Sequence, residues 1–264
     1  MDLRITDKTA LVTGGSKGIG RAVALLLAEE GARVAIVARD QAALDKAATE
    51  IRDRTRREVV TIAADLSELA DVERVVKTAR EHLGRIDVLV NNAGAIRGGA
   101  FLDIPDAQWG GDWNLKLLGY IRMARAVFPL MQAQGGGRIV NVTGAAARNP
   151  APTYLTGGAA NAALTNFTKG LADLGAPSNI LVNAVAPAAT ATERWESLIA
   201  QQAAGSGRPV AEVRAEALAP YKLGRMASPE DIANVVAFLV SERAAFITGI
   251  CITVDGGATR GVYL

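Results

Sequence analysis

Apolar and polar positions alternate along this chain in a regular succession of short and long segments. The short segments are rich in β-branched residues, and the long ones carry apolar residues at helical spacing. The long segments predict helices that include Gly20–Glu30, Gln41–Arg54 and Leu69–Leu83. The short segments predict strands at Ala10–Thr13, Arg33–Val37, Val59–Ala63, Val88–Asn91, Arg138–Val142, Ile180–Ala184 and Ile250–Val254.

This alternation predicts an α/β fold. Strands that alternate with helices form right-handed βαβ units, which give a parallel sheet covered by helices on both faces. We therefore expect a Rossmann-type doubly wound parallel sheet of about seven strands. The 264 residues contain no internal repeat and no Pro/Gly-rich linker, which favours a single domain over residues 1–264.

One stretch, residues 190–223, departs from this pattern. It is polar, Ala-rich and charged, and Gly205, Gly207 and Pro209 interrupt it. It predicts one or two short helices inserted after a strand. Because α/β sheets bind ligands beyond the carboxyl ends of their strands, we expect this insertion to act as a substrate lid.

Composition and charge limit the classes of partner. The 29 basic and 27 acidic residues leave a net charge of +2, which gives no reason to expect nucleic acid or an anionic membrane. The N-terminus lacks the apolar segment of a signal peptide, and no apolar run approaches the ~20 residues that span a bilayer. The single cysteine, Cys251, excludes an internal disulfide, and the acidic residues show no metal-ligand spacing. These features predict a cytoplasmic protein without a metal that acts on a small molecule.

A glycine-rich turn follows the first predicted strand directly. It reads Thr13-Gly14-Gly15-Ser16-Lys17-Gly18-Ile19-Gly20 and runs into the first helix. Glycines let the backbone approach a pyrophosphate, and the helix N-terminus offers free N–H groups to the phosphates. The position of the turn between strand and helix makes it a strong signal for a dinucleotide.

With this turn, the chain resembles the short-chain dehydrogenase/reductase family over nearly its whole length. Further likeness comes from Asp65-Leu66, from Asn91-Asn92-Ala93-Gly94, from Pro187 and Thr192, and from the closing Asp255-Gly256-Gly257. Ala188 stands where the family usually has glycine. The resemblance implies a nicotinamide dinucleotide bound by Gly14, Ser16, Lys17, Gly18, Ile19, Gly20, Arg39, Asp65, Leu66, Asn91, Ala93, Gly94, Asn161, Pro187, Thr190 and Thr192. By the same resemblance we expect a homotetramer or homodimer, with a heteromer containing an active relative as the alternative.

The choice between NADP and NAD follows from charge at the end of the second strand. Ala38 replaces the carboxylate that would bind the ribose 2′-hydroxyl of NAD, and Arg39 follows it. With Lys17 in the glycine turn, two cations are predicted to meet at one corner and to favour the 2′-phosphate of NADP(H) over NAD(H). Alternatively, Arg39 faces solvent and pairs with Asp40.

The proton-transfer residues of the resembled enzymes are missing. The family uses Ser, Tyr and Lys, assisted by an upstream Asn that matches Asn114. Anchoring on Tyr154 places Gly158 at the Lys position and turns the next helix about 300° off its apolar stripe. Anchoring on Asn161 aligns that helix without a gap and places Gly157 and Gly144 at the Tyr and Ser positions. We adopt the second register, in which none of the three residues exchanges protons.

Three interpretations stay open at this point. The chain is an oxidoreductase acting on an alcohol or carbonyl, with its proton supplied by another group such as Tyr154, about one helical turn before Gly157. It is a catalytically silent nucleotide-binding subunit that partners an active relative. Or the glycines make room for a bulky ligand or for proton chemistry of the substrate itself. Tyr154 also has a simpler interpretation, as an aromatic residue that packs beside Pro152.

Overall fold

The computed structural model describes residues 2–94 and 96–259. Within them, seven parallel strands form one sheet in the order β3-β2-β1-β4-β5-β6-β7. This confirms the predicted doubly wound α/β sheet. The strands are β1 Thr9–Thr13, β2 Arg33–Ala38, β3 Val59–Ala63, β4 Val88–Asn91, β5 Gly137–Val142, β6 Ile180–Pro187 and β7 Cys251–Val254.

Helices cover both faces of this sheet. One apolar core contains the inner faces of α1, α2 and α9, and the other contains those of α3 and α5 with part of α6. The predicted helix Leu69–Leu83 is observed with the same bounds as α3, and the other two predicted helices agree to within two residues at each end. The helices are α1 Gly18–Glu29, α2 Gln41–Thr55, α3 Leu69–Leu83, α4 Asp106–Trp113, α5 Gly119–Ala133, α6 Leu155–Gly175, α7 Glu193–Ser206, α8 Val210–Leu218 and α9 Pro229–Val240.

The order of the strands reverses between β1 and β4, and this position sets the location of a binding crevice. The Thr13 hydroxyl at the end of β1 accepts hydrogen bonds from the N–H groups of Asn92 (2.9 Å) and Ala93 (3.0 Å) after β4. The Asn92 amide donates in return to the Thr13 carbonyl at 3.1 Å. These bonds hold the two loops side by side at the carboxyl edge of the sheet.

A five-residue π-helical segment, Asn114–Leu118, connects α4 to α5. Such single-turn widenings of a helix are rare and often occur at functional sites. Across the described ranges, no helix has the length and apolar character needed to cross a membrane.

Candidate active site

The glycine turn after β1 brings backbone close to backbone. A Cβ at Gly20 would overlap the Gly14 carbonyl oxygen, and one at Gly14, whose φ is +66°, would lie 2.8 Å from the Asn92 amide nitrogen. Both positions therefore need glycine. The start of α1 at Lys17 has no side-chain cap in the part of the chain that the structure describes, so its first N–H groups are not occupied by a capping side chain.

Two cavities open at the carboxyl edge of the sheet. The glycine-turn cavity has a volume of about 900 Å³ and is lined by Gly14, Lys17, Gly18, Arg39, Leu66 and Ala93, among others. The Tyr154 cavity has a volume of about 870 Å³ and is lined by Gly144, Tyr154, Asn161, Pro187 and Thr190, among others. The two cavities share Ile19, Asn92, Gly94, Thr192 and Arg194, so one ligand can extend from the first into the second.

Some of the predicted cofactor residues lie outside both linings. Asn91 is fully buried and donates to Asn141 Oδ1 at 3.0 Å, which places it in the sheet. The Asp65 carboxylate accepts hydrogen bonds from the N–H and the hydroxyl of Ser67. Ser16 and Gly20 belong to the turn but line neither cavity.

The predicted catalytic residue Asn114 also faces away from the Tyr154 cavity. Its amide nitrogen donates to the Ser67 carbonyl at 3.2 Å, and its amide oxygen accepts from Arg122 Nη1 at 2.8 Å. Arg122 donates to the same Ser67 carbonyl at 2.8 Å. In this arrangement Asn114 joins the start of α5 to the loop after β3.

The Tyr154 ring occupies the space beside Gly157. Tyr154 immediately precedes α6, and its side chain turns back over the first helical turn. An ideal Cβ at Gly157 would overlap Cε1 and Cζ of Tyr154 and lie 2.6 Å from its hydroxyl oxygen. The phenol therefore occupies the volume that a side chain at position 157 would enter, on the wall of the Tyr154 cavity.

Electrostatics at this phenol disfavour its ionised form. Burial raises the pKa of Tyr154, the Arg194 guanidinium opposes that rise, and the Asp112 carboxylate adds to it. Tyr154 is therefore protonated at neutral pH, so its hydroxyl can donate a proton to a ligand.

Asn161 lies one helical turn after Gly157 in α6 and is almost fully buried. Its amide nitrogen lies 2.7 Å from where a Cβ of Gly144 would be, so Gly144 makes room for this amide. Within residues 2–94 and 96–259, its amide oxygen has no hydrogen-bond partner. A buried acceptor on a cavity wall without a partner is suited to accept from a ligand hydroxyl.

The structure reveals one residue that the sequence analysis missed, Lys116. It lies in the π-helical segment, is buried, and lines the Tyr154 cavity. Burial, together with the nearby Arg194 guanidinium, lowers the pKa of Lys116 to about 7. The available signal was a lone lysine between Leu115 and Leu117, two residues after Asn114.

The predicted lid region forms two helices, α7 and α8, that share a small apolar core. Trp195, Ile199 and Ala203 of α7 pack against Val213 of α8. Arg214 of α8 pairs with Glu196 and lies 5.0 Å above the Trp195 ring. Residues of α7 line both cavities, so this helix lies beside the crevice.

Sequence relatives show the family of this chain. A family model described as Enoyl-(Acyl carrier protein) reductase matches residues 14–259. The 3-oxoacyl-[acyl-carrier-protein] reductase of Synechocystis sp. is 36% identical, over 96% of this chain and 97% of the relative. The oxidoreductase UcpA of Salmonella typhimurium is 35% identical, over 97% of this chain and 96% of the relative. This chain belongs to the short-chain dehydrogenase/reductase family.

Solved structures agree with this assignment. The L-sorbose reductase of Gluconobacter frateurii, in complex with NADPH and L-sorbose, has a TM-score of 0.94 and 33% identity, over 99% of this chain and all of that chain. An NAD⁺-bound xylitol dehydrogenase has a TM-score of 0.91 and 29% identity, over 96% of this chain and all of that chain. These relatives support a nicotinamide dinucleotide as the cofactor class of this short-chain dehydrogenase/reductase.

Proposed function

We propose that this protein is an NADP(H)-dependent oxidoreductase that interconverts an alcohol and a carbonyl, and that Tyr154 supplies its proton. One observation carries the proposal: the Tyr154 phenol fills the space beside Gly157, in a cavity continuous with the glycine-turn cavity. In the register adopted above, Gly144, Gly157 and Asn161 stand at the family's Ser, Tyr and Lys positions. The phenol missing from position 157 is then delivered from one helical turn earlier.

The residues present fit a nicotinamide dinucleotide. The close approach at Gly14 and Gly20 needs glycine, and the start of α1 at Lys17 has no side-chain cap, which suits a pyrophosphate. The unpartnered amide oxygen of Asn161 suits a ribose hydroxyl. When bound, the dinucleotide supplies or accepts the hydride. Because none of these contacts depends on an acid–base group, cofactor binding and proton transfer are separable in this chain.

In this proposal, Tyr154 protonates the substrate oxygen. As hydride reaches the carbonyl carbon, the oxygen gains charge, and the buried phenol donates its proton to that oxygen. The raised pKa of Tyr154 keeps this proton in place near neutral pH. The residue therefore favours carbonyl reduction, because alcohol oxidation would require its phenolate.

The preference for NADP(H) over NAD(H) is supported by the positions of two cations. Lys17 and Arg39 are both exposed, and both line the glycine-turn cavity together with Ala38. Asp40, the alternative partner of Arg39, instead accepts a hydrogen bond from the Ala43 N–H and caps α2. Arg39 is thus available to a 2′-phosphate.

We further propose that α7 and α8 act as the substrate lid predicted for residues 190–223, within one domain over residues 1–264. Their small separate core permits the pair to move as a unit over the crevice. Cytoplasmic location and assembly as a homotetramer or homodimer stay predictions.

A second candidate function, a silent nucleotide-binding subunit, has one observation in its favour. The raised pKa of Tyr154 is the opposite of the lowered value that a phenol gains beside a lysine, and Asn161 carries no charge. Binding of NADPH without oxidation on any carbonyl, followed by activity after addition of a co-expressed relative, would favour this function.

The experiment that tests the first candidate is Tyr154→Phe, assayed for NADPH oxidation with a carbonyl panel that contains L-sorbose and a 3-oxoacyl thioester. Loss of an acid group costs about 10²–10⁴ in rate, so turnover should fall by that factor while NADPH affinity is retained. Tyr221→Phe is the matched control, because Tyr221 lines the same cavity but bonds the Ala189 N–H. Unchanged turnover in Tyr154→Phe would dismiss Tyr154 as the acid.

A further inference from the structure

Lys116 is a buried amine whose path into the Tyr154 cavity depends on a glycine. Only 8% of Lys116 is exposed, and a Cβ at Gly94 would lie 2.6 Å from its Cδ. Gly94 therefore leaves room for the aliphatic part of the lysine to pass. The π-helical segment places Lys116 where its side chain crosses below the loop after β4 and reaches the end of β5.

The Nζ of Lys116 is held at the end of β5 by three acceptors. It donates to the Val142 carbonyl at 2.8 Å, to the Tyr120 hydroxyl at 3.0 Å and to the Thr143 carbonyl at 3.5 Å. The first two are ordinary hydrogen bonds, and the third is at the limit of bonding distance. The Thr143 contact is the weakest of the three, and Lys116 lines the same cavity as Tyr154.

Four charged or titratable residues besides Lys116 belong to this part of the cavity or its surroundings: Tyr120, Arg194, Tyr154 and Asp112. Tyr120 of α5 bonds it directly, and Arg194 of α7 repels its positive charge. Tyr154 lies near enough to Tyr120 to raise the pKa of that phenol further. Asp112 of α4 faces Tyr154 and pairs with Arg97. Within the described ranges, no ion pair joins Lys116 to a carboxylate, so burial decides its protonation.

We propose that Lys116 reloads Tyr154 with its proton and so performs the proton-supply role of the amine absent at Asn161. This inference rests on the proposed function. After Tyr154 gives its proton to the substrate oxygen, an N–H bond of the Lys116 ammonium breaks and the Tyr154 O–H bond forms again within the cavity that both residues line. The neutral amine then takes a proton from solvent. Lys116 acts through Tyr154 and does not touch the substrate.

The direction of this proton transfer follows from the pKa values of Lys116 and Tyr154. The pKa of the Lys116 ammonium is about 7, and that of the Tyr154 phenol is above its ordinary value of 10.0. This order of the two pKa values favours transfer of the proton from the ammonium to the phenolate. An ammonium of ordinary pKa, near that of the phenol, would transfer its proton with little driving force. Lowering the pKa of Lys116 by burial is thus what makes it an effective donor to Tyr154.

The first test measures the protonation of Lys116 without turnover. Protein with ¹³C-labelled lysine is titrated by NMR in the absence of cofactor, and Lys116→Met identifies the Lys116 resonance by its disappearance. One lysine that titrates near 7 supports the proposal. A Lys116 resonance that stays protonated above pH ~9.5 would overturn it.

The second test measures the pH profile of carbonyl reduction. The wild-type rate should decline above pH ~7 as the ammonium is lost, and Lys116→Met should reduce kcat at least tenfold and abolish this decline. Lys169→Met, at an exposed lysine outside both cavities, is the control and should retain the decline. If Lys116→Met lowers kcat equally at every pH and the rate still declines above pH ~7, Lys116 has a structural role and the proposal is overturned.

The two proposals fail in different ways. If wild-type protein binds NADPH and reduces no carbonyl of the panel, the proposed function fails, whatever the lysine titration shows. If wild-type protein turns over and its pH decline survives Lys116→Met, only the role of Lys116 fails.

Discussion

The phenol ring of Tyr154 lies where a side chain at Gly157 would have to stand. An ideal Cβ at position 157 overlaps two ring carbons of Tyr154. A side chain at position 157 and the Tyr154 ring cannot occupy this space together. The tyrosine adopts this orientation because position 157 is glycine. This relationship links a glycine in the sequence to a phenol in the cavity.

We predict that Gly157→Ala displaces Tyr154 and lowers turnover about 10²-fold or more, as expected when an acid group is lost. Gly158→Ala is a matched control, because its Cβ would lie 3.4 Å from the Ala146 carbonyl, close to an ordinary contact. Both substitutions add about 1 kcal/mol of helix propensity to α6, so a difference between them reports on Tyr154. Steady-state kinetics with NADPH measure the difference in turnover between the two variants. Equal activity in the two variants would separate Tyr154 from catalysis.

We predict that Arg39→Ala weakens NADP⁺ binding about 10–100-fold and leaves NAD⁺ binding unchanged, because only NADP⁺ offers a phosphate to the guanidinium. Thermal unfolding with each cofactor measures this, since a ligand bound only by the native state raises its stability. Arg52→Ala, exposed on the last turn of α2 and outside the glycine-turn cavity, is the control. Equal shifts of wild-type protein by both cofactors would count against the roles of Lys17 and Arg39.

We predict that alcohol oxidation is slow near neutral pH and continues to rise beyond pH ~10. Oxidation needs the Tyr154 phenolate, and burial raises the pKa of this phenol. Because the Arg194 guanidinium opposes that rise, Arg194→Met should move the profile to still higher pH. The rate with NADP⁺ and the alcohol product of the reduction gives the profile. A plateau already reached by pH ~8 would show that another base acts.

We predict that Lys116→Met stabilises the protein most at acidic pH. The pKa of Lys116 is about 7 in the fold, below its ordinary value of 10.5, so the unfolded chain binds the extra proton between these values. Burying the charged Lys116 therefore destabilises the fold most below pH about 7, and this destabilisation disappears as the pH rises to 10.5. The free energy of unfolding changes by a few kcal/mol across this range, as an order of magnitude.

Urea unfolding of wild-type protein and of Lys116→Met at pH ~6 and ~10 measures this difference. The variant's advantage should be larger at the lower pH. Lys169→Met controls for the loss of one positive charge, because Lys169 is exposed and pairs with Asp173. A pH-independent difference between wild-type protein and Lys116→Met would refute a buried titrating amine.

The sequence by itself determined the sheet, the order of its elements and the dinucleotide turn. Periodicity in strands and helices decides which face is buried, and the close approach of Gly14 to Gly20 is fixed by residues six apart in the chain. Both are local effects, so a linear pattern carries them. The register that places Gly157 and Asn161 at the family's Tyr and Lys positions stays a prediction.

Only the tertiary structure decided which groups occupy the Tyr154 cavity. The sequence allowed two orientations of Tyr154, one packed beside Pro152 and one that reaches the cavity. The free volume beside Gly157 selects the second. Lys116 becomes a buried amine because Gly94 and the end of β5, distant in the chain, meet around it. Side-chain direction and desolvation depend on what surrounds a residue in space, and no linear spacing encodes that environment.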